Sequence, residues 1–333
     1  MAVYFSDEIR LNPNFTAYIG ARMPFFYNTN SQYLLFEPRM SLLHLINTTT
    51  SIKISYTQMH QSVSLVQSYN ASFPAEIWIG SSKIVKPQNC QEASIGLFKN
   101  FKDNMFQSSV EVYYKHMGNQ LLFEGGLTPT INSNIENMLI FGQGKSYGVE
   151  LYLGKTKGRL TGWMSYTLSY AYQKFDSLNL GRQFPFANDR RHSFYVSASY
   201  AISKHWEVSS NFLLTSGSAF TLFKDVSVKP YDLLFYNNVK GSEYASGSAG
   251  NKVQNNYRLA PYNRLDLSIR YRKTRKLPNR LLETEWVFSV YNAYARANTF
   301  FAYCSIDPVT KQPIPVEVSF VPIIPSITYN LKF

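Results

Sequence analysis

Alternation with a period of two constrains this chain more than any other feature. Phe194, Val196, Ala198 and Tyr200 alternate with Ser193, Tyr195, Ser197 and Ser199. Leu265, Leu267, Ile269 and Tyr271 alternate with Arg264, Asp266, Ser268 and Arg270. The same rhythm runs through Ile52–Tyr56, Val149–Leu153, Val208–Leu214 and Ile327–Phe333. Successive residues of a strand point to opposite faces, so each segment reads as a strand with one apolar and one polar side. A soluble sandwich alternates in the same way, but two features favour a membrane. Arg159–Tyr172 and His205–Thr215 reach or pass the roughly 9–11 residues of a tilted membrane strand. The connections also alternate in length. Short turns at Leu11–Asn14, Asn47–Thr50, Lys102–Asn104, Thr156–Gly158, Ser203–Lys204 and Lys273–Arg280 interleave with long loops at Phe26–Tyr33, Met59–Gln91, Met117–Lys145, Gln173–Arg190, Ser218–Pro261 and Tyr294–Val316. Outer-membrane barrels pair short periplasmic turns with longer extracellular loops. Structureless loops of this length argue against a compact soluble domain.

Composition points the same way. Charged residues make up 16% of the 333 residues, against roughly 25% in a soluble domain, and aromatics make up another 16%. So many aromatics exclude a disordered chain. No run approaches the roughly 18 apolar residues of a spanning helix. Two cysteines exclude a disulfide scaffold. Both, Cys90 and Cys304, fall in expected outside loops, and whether they pair is not legible from spacing. The net charge of +12 invites a nucleic-acid partner, but Lys and Arg fall singly at turns and strand ends. The one dense basic stretch, Arg270–Arg280, straddles a turn, so solvated turn charges are expected and no nucleic acid.

About thirteen strands follow, beginning near Ala2, Thr16, Leu34, Thr50, Glu92, Met105, Ser146, Arg159, Arg191, His205, Tyr262, Leu281 and Pro322. The count is odd, whereas bacterial single-chain barrels are even. If the last strand descends to the periplasm, the first begins on the outside. The expected fold is therefore all-β: an antiparallel transmembrane β-barrel, present in part. The residues after Met1 form neither a basic nor an apolar targeting segment, so no export signal is expected in this chain.

Catalytic, cofactor-binding and metal-ligating constellations are not legible. The five histidines are scattered, with no HExxH. His192 near Asp189 is the one close aspartate–histidine pair, and an ion pair at a loop base explains it better than a hydrolase dyad. Asp189-Arg190-Arg191-His192 closes a long loop, where carboxylate and guanidinium either pair or stay solvated. Gly142–Ser146 lacks the first glycine of a phosphate loop, with Leu139 in its place, and runs into a strand. Tyr69 and Trp78 in one long loop, and Tyr231 and Tyr236 in another, are candidates for ligand capture. Exposed aromatics suit an aromatic girdle at the membrane surface equally well.

Six blocks in order carry a family resemblance: Lys145–Leu153, Gly158–Ser169, Phe184–Phe194, Tyr262–Arg270, Val290–Thr299 and Ile324–Phe333. Together they resemble the C-terminal barrel of TonB-dependent outer-membrane receptors, in the branch with a carboxypeptidase-like N-terminal extension. The resemblance implies that residues 1–333 are about 13 of about 22 strands, with the plug domain and the first strands absent. It implies a Gram-negative outer membrane and active uptake of a nutrient of the siderophore, glycan or peptide class. Implied partners are outer-membrane lipid, the barrel-assembly machinery, the missing plug and N-terminal strands, and the energy-coupling TonB protein acting through that plug. Tyr329, Leu331 and Phe333 look like the assembly signal. Arg264, Asp266 and Arg270 are the candidates to face lumen and plug. No enzyme and no cofactor are expected. The alternatives are a passive pore or adhesin barrel, which needs the Ala2–Arg10 strand to pair with Ile324–Phe333, and an outer-membrane hydrolase.

Overall fold

The alternating segments assemble edge to edge into a single antiparallel sheet. In the computed structural model the described residues are all except 30, 69–74, 124–134, 223–225, 229–244, 248–253, 278–279, 308, 311, 321 and 333. Thirteen strands form the continuous path: β1 (Ala2–Asn12), β2 (Phe15–Asn28), β3 (Glu37–Asn47), β4 (Thr50–Gln61), β5 (Gln88–Phe101), β6 (Phe106–Phe123), β7 (Leu139–Lys155), β8 (Leu160–Lys174), β9 (His192–Ala201), β10 (Trp206–Thr215), β11 (Tyr262–Leu277), β12 (Arg280–Tyr291) and β13 (Ile324–Lys332). Every strand pairs with its neighbours in sequence order, as an up-and-down meander does. The expected count and order hold, and so do the short turns except Lys273–Arg280, where the two strands stay paired down to Leu277 and Arg280.

Register makes the two faces continuous across the sheet. Ile54, Ile95, Val112, Val149 and Leu168 stand opposite one another along one row of five strands. The adjacent row, on the other face, is Lys53, Gly96, Glu111, Glu150 and Thr167. Among the described residues the apolar face is uncovered along and beside this row: Ile95 is 50% exposed, and Ile54, Val112 and Leu151 are similarly open. The buried hydrophobic clusters lie at the long-loop end instead. One joins Val66, Ile79 and Val85 to Leu121, Phe123 and Leu139. The other joins Phe175, Leu178 and Phe184 to Leu122. A sheet whose core-like residues face outward is built for a lipid solvent. No helix among the described residues is long and apolar enough to cross a membrane, which leaves crossing by strands untouched.

Local chemistry closes the short turns. The Asn12 Oδ1 accepts from the backbone N–H groups of Asn14 and Phe15, both at 2.9 Å. Asn47 Oδ1 takes the Thr49 N–H at 3.0 Å. These are side-chain-closed turns of the kind Asn favours. Gly162 is required for a different reason. A Cβ there would lie 2.2 Å from the Ser197 carbonyl oxygen on the neighbouring strand.

The long loops differ from expectation, because they carry structure of their own. Ser31–Leu34 pairs back on β2, Val63–Ser68 pairs with Ala75–Gly80, and Thr299–Ile306 pairs with Pro313–Ser319. β6 and β7 also run well past the expected limits of Met117 and Ser146. The reason is a bulge. Asn119 has φ 54°, and the register shifts between Gly142 and Gly144, so the side-chain phase of β6 changes there. Beyond the bulge protein packs on both faces, the paired segments Val63–Ser68 and Ala75–Gly80 on one and residues 175–184 on the other, and alternation disappears.

Candidate functional site

The polar face carries its charge in ordered pairs. Arg264, Asp266 and Arg270 stand on one face of β11, as expected from their spacing. Arg264 Nε donates to Asp266 Oδ2 at 3.0 Å, and its Nη1 donates to the Tyr291 hydroxyl at 2.8 Å. Its guanidinium also lies 4.2 Å from the centre of that ring. Asp266 Oδ1 accepts the Asn292 N–H at 2.9 Å, which fixes the chain where it leaves β12. Nearer the short turns, Arg270 lies 3.3 Å from Glu207 and 3.6 Å from Glu285. Arg272 lies 3.0 Å from Glu285 and 3.5 Å from Glu283, and Asn330 donates to Glu285 at 3.1 Å. These links tie β10, β11, β12 and β13 into one charge ladder. Away from the charges, serine pairs bridge strands at Ser55–Ser94 and Ser289–Ser326, both at 2.7 Å. Such cross-strand pairs fix register.

Two carboxylates are buried at the bases of long loops. Glu37 is fully buried, accepts Arg22 Nη1 at 2.9 Å and takes the His60 N–H at 2.8 Å. Asp189 is 2% exposed, accepts the Ala171 N–H at 2.8 Å and is ion-paired with Arg258. Arg191 stands farther off, its Nε 3.8 Å from the same carboxylate. The acid in the Asp189–His192 stretch is therefore paired rather than solvated, and its main partner comes from the next long loop. His192 turns elsewhere, its Nδ1 2.8 Å from the Tyr166 hydroxyl. The dyad a hydrolase needs is not assembled.

Around Asp189 the two loops clasp each other. Asn255 donates its side-chain amide to the Pro185 carbonyl at 2.7 Å, and Asn179 Oδ1 accepts the Gln254 N–H at 2.9 Å. Glu317 joins a third loop by accepting the Ala260 N–H at 3.1 Å. Glu37, Arg258 and Glu317 were not legible as loop-base partners. Arg258 sits in a loop with no periodic signal, Glu317 in a short alternating run inside an expected loop, and Glu37 opens a strand beside Pro38.

The remaining candidates divide. Tyr329 and Leu331 lie on the exposed apolar face of β13. Tyr329 packs 4.7 Å from Trp286, in a cross-strand row with Tyr271 and Trp206, which are themselves 4.8 Å apart. Trp78 is 67% exposed on the outer side of a hairpin whose other side is buried. Phe333, Tyr69, Tyr231 and Tyr236 lie outside the described residues. Cys90 is a free thiol.

β1 pairs only with β2, and β13 only with β12, among the described residues. The pairing of Ala2–Arg10 with Ile324–Phe333 that a self-closed pore needs is not found among the described residues.

Comparison with known proteins agrees with this architecture. The family model "TonB dependent receptor-like, beta-barrel" matches residues 1–293. Among solved structures, the ferripyoverdine receptor of the outer membrane of Pseudomonas aeruginosa is 12% identical with a TM-score of 0.59, covering 99% of this chain and 38% of its own. The FrpB iron transporter from Neisseria meningitidis is 12% identical with a TM-score of 0.60, covering 99% and 45%. The ferric-catecholate import receptor Fiu from E. coli K12 is 13% identical with a TM-score of 0.55, covering 99% and 44%. The chain thus spans less than half the length of these structures, and at such identities the likeness is one of fold. No curated protein matches the sequence. A two-faced antiparallel meander, matched over most of its length by this family's barrel model, belongs to the TonB-dependent receptor β-barrel family.

Proposed function

We propose that this chain is the C-terminal wall of a TonB-dependent receptor that takes up a scarce nutrient across a Gram-negative outer membrane. The polar face would line the lumen and meet a plug domain supplied by sequence outside this chain. Arg264, Asp266 and Arg270 would stand on that inner surface. The observation that carries the reading is the open, two-faced sheet. Its unpaired edges cannot rest in hydrocarbon, because bare N–H and C=O groups there cost several kcal/mol each. The two edge strands also run in the same direction, since the path holds an odd number of antiparallel strands. Antiparallel closure then needs an odd number of further strands. About nine would complete the 22 of outer-membrane transporters.

The ligand class follows less directly. The relatives of known structure include receptors for ferripyoverdine and ferric catecholates, so a ferric siderophore is the first probe, ahead of glycans and peptides. The test is uptake of labelled ferric siderophores by cells carrying the complete receptor, with inner-membrane energy intact or dissipated by an uncoupler. Energy-dependent uptake is expected. Uptake that persists unchanged after uncoupling would return the protein to the passive-pore class.

A further inference from the structure

Towards the long loops, the apolar face of β6, β7 and β8 is layered. An aliphatic row of Val112, Val149 and Leu168 gives way to a row of Tyr114, Tyr147 and Tyr170. Above that stand His116, Lys145 and Tyr172, and then Lys174. Tyr147 and Tyr170 stack at 5.5 Å. The Arg191 guanidinium lies 4.7 Å from the Tyr170 ring centre and donates to the Tyr172 hydroxyl at 3.3 Å. Lys145 Nζ lies 6.0 Å from the Tyr172 ring centre.

Three permanent cations thus sit at the long-loop end of this face, directly above its tyrosines. Among the described residues no carboxylate lies within ion-pair distance of Lys145 or Lys174. Asp189, the acid nearest Arg191, is already bound to Arg258. Cations on a lipid-facing surface are costly in hydrocarbon and favourable at headgroup level. Aromatic rings mark the same boundary from below. From this layering we infer that Lys145, Lys174 and Arg191 form a binding site for a phosphate-bearing lipid headgroup in the outer leaflet. Arg191 is held by ring stacking and offers a planar fork to phosphate oxygens, and the two lysines supply point charges beside it. The lipid's acyl chains lie along the aliphatic rows beneath.

The inference rests on the barrel reading above, and the test separates the two. The receptor polypeptide carrying this chain is reconstituted in phosphatidylcholine vesicles containing bisphosphorylated lipid A. Lipid retained after extraction is then counted by native mass spectrometry. Heat-modifiable gel mobility reports barrel formation independently. K145Q/K174Q changes only residues outside the loop-base ion pair, and R191Q is added to it as a second variant. Loss of affinity is expected at about fivefold per removed cation, or about a hundredfold for all three. K204Q/K273Q, at the short-turn end, should retain lipid as the parent does. A folded barrel whose K145Q/K174Q form retains lipid A like the parent would overturn the site. So would complete displacement of the lipid by millimolar inorganic phosphate, which would point to a free-anion site. Failure to form a heat-modifiable barrel would instead count against the membrane reading itself.

Discussion

Asp189 shows how much one buried side chain can organise. It takes a main-chain N–H from β8 and the Arg258 guanidinium from the following loop. Arg258→Ala leaves the Asp189 carboxylate buried without its main partner, which should cost about 3 kcal/mol. Asp189→Ala should cost less, near 1 kcal/mol, because the guanidinium it frees is a third exposed and takes water instead. Urea unfolding in lipid vesicles ranks the two, and a smaller cost for Arg258→Ala would mean that the buried carboxylate does not set the energy. Gly162 offers a backbone counterpart. A side chain there meets the Ser197 carbonyl oxygen, so Gly162→Val should cost at least about 2 kcal/mol and reduce the heat-modifiable fraction on gels. The Asp189–Arg258 pair was half legible: the acid stood in a recognisable loop-base stretch, while its partner lay about 70 residues onward in sequence with no periodicity to mark it.

At the level of the strand, alternation carries the information, and it fails where physics removes the contrast between faces. Through Ile52–Tyr56, Ser193–Tyr200 and Arg264–Tyr271 one side is apolar and the other polar, and the strands stand where their pattern implies. In the upper parts of β6 and β7 both sides are covered by protein. Leu121, Leu122 and Phe123 are consecutive and all buried, so the strand continues with no rhythm to announce it. The face assignment has a direct energetic consequence. Val112→Arg places a charge on the lipid side, which should cost about 2–4 kcal/mol near the membrane centre. Glu111→Arg, one residue away on the polar face, should cost much less. Similar costs for the pair would show that the faces do not meet different solvents.

For the molecule as a whole, the sheet is a wall with two solvents and two unfinished edges. On the proposed reading, stability comes from main-chain pairing, register locks on the polar face and lipid against the apolar one, because the buried clusters among the described residues lie at the loop end. The number and order of strands were readable in advance, since each crossing repeats the same local pattern. Which loops clasp which was not, because those links depend on single polar groups from distant segments. The central claim is that odd and even positions of a strand meet lipid and water in turn. It is tested most directly by spin labels placed one at a time at residues 109–114 of β6, in the complete receptor reconstituted in vesicles. Oxygen collisions report lipid exposure, and collisions with a water-soluble nickel chelate report aqueous exposure. The account predicts oxygen maxima at 110, 112 and 114 and nickel maxima at 109, 111 and 113, in opposite phase. Oxygen and nickel profiles that rise and fall together would contradict it.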